Sequence, residues 1–101
     1  MATTPKPLFR GAATVTLTTV LYTVPALTNT VVTNIVAANT SATAGTFDIS
    51  LDGVKVFAGV AIGANATIII DLKQVLATTK TITGGASATT INFHISGAEI
   101  V

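Results

Sequence analysis

The run Thr46–Leu51, followed at once by Asp52-Gly53, constrains the fold of this chain more than any other feature. Phe47, Ile49 and Leu51 alternate with Thr46, Asp48 and Ser50, a period of two that suits a strand with one buried face. Asp-Gly tolerates the successive positive φ values of a type I′ turn, so Val54–Ala58 is expected to return as the second strand of a hairpin. A tight hairpin commits this part of the chain to antiparallel pairing.

The same grammar recurs along the sequence. Leu8–Ala13 reads as a strand weakened by Gly11, and Val15, Leu17 and Val20 continue an alternation with threonines. Thr19–Val24 is a strand that Pro25 must end or confine to an edge, because proline donates no ladder hydrogen bond. Ala26–Asn29 turns, and Thr30–Asn39 follows with Val31, Val32, Ile35 and Val36 making both faces apolar, as in a central strand. Thr40–Gly45 and Gly59–Asn65 read as loops. Ala66–Leu72 is a strand with Ile68, Ile70 and Leu72 inward, and Lys73–Thr79 has spacing that allows one or two helical turns. Thr81–Thr83 starts a strand, Gly84–Ala88 turns, and Thr89–Ser96 alternates Ile91, Phe93 and Ile95 with Asn92, His94 and Ser96. Gly97 is expected to bend the chain before Ala98–Val101. About eight strands at spacings of roughly 8–12 residues predict an all-β fold, a single antiparallel sandwich of jelly-roll type. Residues 1–10, with Pro5 and Pro7, are expected to form an extended arm, and residues 11–101 the sandwich domain.

A chain of 101 residues is one domain and buries roughly 60–68% of its extended surface. Charged residues make up 9%, against about 25% in ordinary globular domains. Five basic and four acidic side chains leave a net charge of +1. Such a surface is poorly protected against association, and cover by other subunits is the simplest remedy. Nucleic acid needs clustered Lys and Arg, and Lys6 with Arg10 are too few, so nucleic acid is not expected as a partner. Anionic membranes are disfavoured on the same ground. No apolar run approaches the ~18 residues of a membrane span, and the N-terminus lacks the apolar core of a signal peptide. Synthesis in the cytosol is the expectation. Without cysteine there are no disulfides or thiolate metal sites.

Chemistry is sparse. His94 is the lone histidine, and its register places it opposite Phe93 and Ile95, on a solvent or interface face. A general base needs partners to activate and orient it, and no such motif is present. Asp48 and Asp52 fall near one hairpin end, but the spaced acidic loop of a calcium site is missing; both read as solvated residues. Asp71, Lys73 and Lys55 read as ordinary surface charges. Gly84-Gly85 precedes no helix start and is not a phosphate loop. Asn39-Thr40-Ser41 and Asn65-Ala66-Thr67 match a glycosylation sequon as chance outcomes of a Thr-rich chain. Neither catalysis nor a cofactor or metal is expected.

Four stretches occur together in order: Leu21–Ala26 (LYTVPA), the apolar strand ending in Asn39-Thr40-Ser41, Leu51–Gly53 (LDG) and Ile95–Ile100 (ISGAEI). Together they resemble small β-sandwich virion proteins of tailed bacteriophages, which serve as capsid decoration or as head- and tail-associated subunits. The likeness runs from about Phe9 to Val101. It departs at Thr79-Lys80-Thr81, where relatives often carry a Gly-Asp turn. The resemblance implies a structural role in the virion: self-association, often around a threefold axis, and attachment to the major capsid or other virion proteins. Lys6, Pro7, Phe9 and Arg10 on the arm are the candidate partner-binding residues. The alternative is a tail- or head-fibre domain that binds host carbohydrate, for which Tyr22 is the aromatic with a polar handle.

Overall fold

The computed structural model describes residues 2–101, and the hairpin expected at Asp52-Gly53 lies near its centre. Eight strands follow in order: β1 Thr3–Ala12, β2 Thr19–Thr23, β3 Asn29–Asn39, β4 Gly45–Leu51, β5 Val54–Ile62, β6 Thr67–Leu76, β7 Thr81–Ala86 and β8 Ile91–Ile100. Asp52 and Gly53 have φ of 55° and 73°, and Leu51 pairs with Val54 across them, as a two-residue type I′ turn requires.

That hairpin is the tip of a longer ribbon. β4 pairs with β5, β3 with β6, β2 with β7 and β1 with β8, all antiparallel, so the chain forms four nested pairs around one tip. Folding the ribbon over adds the β3–β8 and β4–β7 pairings. Two four-stranded sheets result, with orders β1-β8-β3-β6 and β2-β7-β4-β5. This is the expected jelly-roll sandwich. Its extents are 45 × 21 × 18 Å, long in one direction.

The inner faces carry the alternations read from sequence. Phe47, Ile49 and Leu51 of β4 and Ile82 of β7 meet Val32, Ile35 and Ala37 of β3 and Ile91, Phe93 and Ile95 of β8. Phe47 and Phe93 cross between the sheets edge to face, with centroids 5.7 Å apart at 68°, a geometry that adds to simple burial. β3 is central, between β8 and β6, as its two apolar faces required. At its end, Asn39 is buried; its Nδ2 donates to the Thr43 and Gly63 carbonyls, and its Oδ1 accepts from the Ser41 N–H. This side chain holds two loops and is not a free sequon amide.

Several local expectations change. The extended segment at residues 1–10 is sheet from Thr3 onward, with β1 paired to β8 from Thr3↔Ile100 to Ala12↔Asn92; Met1 lies outside the described residues. Pro5 and Pro7 are tolerated because β1 is an edge strand, and residues two apart direct their missing donors to the same side. Val15 and Leu17 alternate but lie in the β1–β2 connection, not in a strand. Lys73–Leu76 continues β6, with Val75 opposite Val31 and Leu76 opposite Thr30, so the helical spacing is incidental. β5 runs through Gly59 (φ 56°) to Ile62, with register shifts on either side of Phe57, so that glycine marks a bulge.

Gly84 and Gly85 are inside β7 rather than at a turn. A Cβ on Gly85 would sit 2.3 Å from the Thr16 carbonyl oxygen, because the β1–β2 connection crosses directly over it. Here glycine provides close approach, not a bend. Gly97 likewise stays within β8. The Thr79-Lys80-Thr81 turn is left-handed at Thr79, with φ 71°.

Candidate interaction surface

The four arm residues singled out above do not share one surface. Alternation and a β1 bulge between Pro7 and Phe9 divide them. Phe9 is half-buried against the core. Lys6 turns toward the seam between the sheets, where its Nζ lies 3.4 Å from Glu99 Oε1. Pro7 and Arg10 are exposed on the outer face of the β1-β8-β3-β6 sheet.

Lys6 belongs to a polar cluster that closes one end of the sandwich. Glu99 accepts a hydrogen bond from the Tyr22 hydroxyl, which lies 2.9 Å from Thr30 Oγ1; Thr30 is fully buried. Burial first, then the bond to Glu99, pushes the Tyr22 phenol up to about 12. A raised value means the neutral phenol stabilises the fold; that contribution is whole below the unfolded value near 10 and is lost as pH rises through about 12. Tyr22 is the sole tyrosine. Absorbance of tyrosinate should therefore titrate with a midpoint near 12 in the native protein and near 10 in urea; a native midpoint near 10 would remove the cluster.

Asp48 is the one buried acid among the described residues, and the sequence reading of it as solvated is wrong. It is 6% exposed. Its Oδ2 lies 2.7 Å from Lys55 Nζ, and its Oδ1 accepts from the Gly59 N–H at 2.8 Å. The carboxylate thus fastens the β5 bulge to β4. The Lys55 ammonium, and then the Gly59 amide, hold its pKa below the ordinary carboxylate value. A lowered value stabilises the fold above the unfolded pKa near 4, and this support is lost as pH falls through the folded value. Asp48→Asn should cost about 1.5–3 kcal/mol at pH 7, with the deficit shrinking below pH ~4, where wild type is losing the same charge. Urea denaturation at pH 7 and pH 3 measures both.

With only nine charged residues in the chain, the exterior holds sparse charge beside much apolar surface. Nine large apolar side chains are exposed among the described residues: Val15, Leu17, Val20, Leu27, Val54, Val56, Ile69, Val75 and Val101. Val15, Leu17 and Val20 lie on the connection over Gly85 and the start of β2. Ile69 and Val75 lie on the outer face of β6, opposite Val36 and Val31. Across the outer sheet face, one row runs Arg10–His94–Val36–Ile69 and another Pro5–Ala98–Val31–Val75, so the face becomes more apolar toward β6. His94 therefore stands between Arg10 and Val36, with no acid in its row.

Leu27 is the least expected of the nine. It is 88% exposed and holds a left-handed φ of 56°. That conformation costs a branched residue roughly 1–2 kcal/mol, and burial within the chain returns nothing for it. Alternation does not say which apolar residues stay outside: Val15, Leu17 and Val20 alternate with threonines and are exposed all the same.

Among the described residues, no group of three His, Cys, Asp or Glu side chains converges. None of the five aromatic residues is exposed, Tyr22 included. The arrangement can bury apolar surface against a neighbour. No family model and no curated protein matches the chain.

Proposed function

We propose that this chain is a non-enzymatic structural subunit of a phage virion, a capsid decoration or cement protein that binds across capsid subunits and stabilises the shell. The observation that carries the reading is the exterior. Nine exposed large apolar side chains equal in number all the charged residues of the chain, and they sit on a closed core with no buried polar side-chain atom left unpaired among the described residues. Exposed apolar side chains with so little charge among them suit a surface that other proteins cover. A rigid jelly roll that buries such residues across a joint raises the work of separating the subunits it spans, and the shell in turn supplies cover that the domain lacks. The resemblance in Leu21–Ala26, Leu51–Gly53 and Ile95–Ile100 supplies the virion setting. Carbohydrate binding is the weaker reading, because stacking on sugars needs an exposed aromatic and Tyr22 is engaged with Glu99.

Saturable binding to empty capsids, with no binding to a glycan array, is the expected pair of results; array binding without capsid binding would reverse the assignment. Leu27→Gly sharpens the test. Releasing left-handed strain should leave stability equal or raise it by up to about 1 kcal/mol, while affinity for the shell falls. Unchanged affinity would remove Leu27 from the contact.

A further inference from the structure

Charge accounting singles out one strand. Of the nine charged side chains, six form three ion pairs: Lys6–Glu99, Lys55–Asp48 and Lys80–Asp52. Asp71 is then the one acid without a cationic partner among the described residues, and Lys73 and Arg10 are the remaining cations. Asp71 and Lys73 are both exposed on β6, two residues apart, with Ile69 and Val75 (68% and 70% exposed) on either side of them.

β6 is also the least protected sheet edge. The four edge strands are β1, β6, β2 and β5. β1 carries Pro5 and Pro7, β2 is five residues long, and β5 is bulged at Gly59 and clamped by Asp48. Proline, shortness, bulges and charged side chains are the ordinary defences of an edge against pairing with another chain; the two charges on β6, Asp71 and Lys73, are opposite in sign and can answer each other in a second copy. β6 has ten residues, and its irregularity against β3 is confined to one point beside Leu72 and Lys73.

We infer that β6 pairs antiparallel with β6 of a second copy of this chain, around a twofold axis at Leu72, joining two sheets edge to edge. In this register Asp71 faces Lys73 of the second copy, and Ile69 faces Val75, each contact occurring twice. The charges choose the register. A shift by two residues in either direction sets Asp71 against Asp71 or Lys73 against Lys73, and a shift by one turns the apolar faces of the two sheets to opposite sides. The irregularity falls beside the axis, so Ile68–Asp71 of one copy and Lys73–Leu76 of the other form two arms. This specifies one self-contact within the structural role above, and it rests on that reading only for its use in an assembly.

Sedimentation equilibrium of the purified protein tests it directly. The wild type should show a monomer–dimer equilibrium that weakens with salt. Asp71→Lys and Lys73→Asp should each raise the dissociation constant by about tenfold or more, since like charges then face each other. The double exchange Asp71→Lys/Lys73→Asp restores opposite signs and should recover most of the wild-type affinity. Amide exchange on the wild type gives a second readout, with concentration-dependent protection confined to β6. A protein that stays monomeric up to about 1 mM, in the weakest affinity range, would overturn the inference. So would an oligomer that no charge exchange moves, or protection elsewhere than β6. Capsid binding by a monomeric protein would leave the structural role standing without this contact; a β6 dimer that never binds virions would leave the contact and remove the role.

Discussion

Gly97→Ala is expected to destabilise the domain by at least about 3 kcal/mol, the upper end of ordinary overpacking. The added Cβ would lie 2.2 Å from the Val31 carbonyl oxygen and 3.0 Å from Leu8 Cδ1. The first contact is with backbone, in the central strand β3, which is hydrogen-bonded on both sides and cannot move aside. Relief requires breaking the β3–β8 register beside Val32 and Gly97. For a domain whose total stability is of the order of 5–15 kcal/mol, such a loss is a large fraction. Gly63→Ala is the control: its nearest neighbour is the Ala66 Cβ at 3.7 Å, an ordinary contact. Urea denaturation should show a large fall in midpoint for the first variant and almost none for the second. Equal, small effects would mean that the sheet is looser at Gly97 than the geometry requires.

Phe47→Ala should cost about 3–5 kcal/mol, the range for deleting a fully buried aromatic. Phe47 has no solvent exposure, links the sheets through Phe93 of β8, and packs at 6.5 Å against Phe57 of its own sheet. Its removal leaves a void between two sheets, each stiffened by its own hydrogen-bond ladder, so collapse recovers little. Phe57 is half-buried on an edge strand, and Phe57→Ala should cost distinctly less. Thermal unfolding of both variants gives the comparison, and an inverted order would relocate the centre of the core.

The sequence was most legible where local chemistry and global packing agree. Asp52-Gly53, the inward Phe47, Ile49 and Leu51 of β4, the two-faced apolarity of β3 and the Ile91–Ile95 alternation of β8 took the expected form, whereas the other face of β4 is also covered at Asp48 and Ser50. Each is decided by neighbours along the chain or by one buried face. Glycine was the main source of error. Gly84, Gly85 and Gly97 look like punctuation, yet all three lie within strands, where carbonyls from elsewhere in the chain leave no room for a side chain. Nothing local distinguishes that use from a turn. Lys73–Leu76 misled for a related reason, since short apolar spacing fits either period until the partner strand is known.

The candidate surface was less legible than the fold. Lys6 and Phe9 are turned to the seam and the core by alternation and by a bulge that no residue type announces. Asp48 is buried because a bulge in another strand brings Gly59 and Lys55 to it. The low charge content predicts association, but it does not say which residues stay outside. Val15, Leu17, Leu27, Ile69 and Val75 emerge as surface once the sheets are assembled.

The most direct test of the structural role is the position of the protein in purified phage particles. Density from the intact virion, read together with quantitative mass spectrometry of the same particles, should find the eight-stranded jelly roll at symmetry-related sites in fixed stoichiometry, with its exposed apolar residues against shell subunits. Complete absence of the chain from purified particles, when it is abundant in the infected cell, would contradict the account.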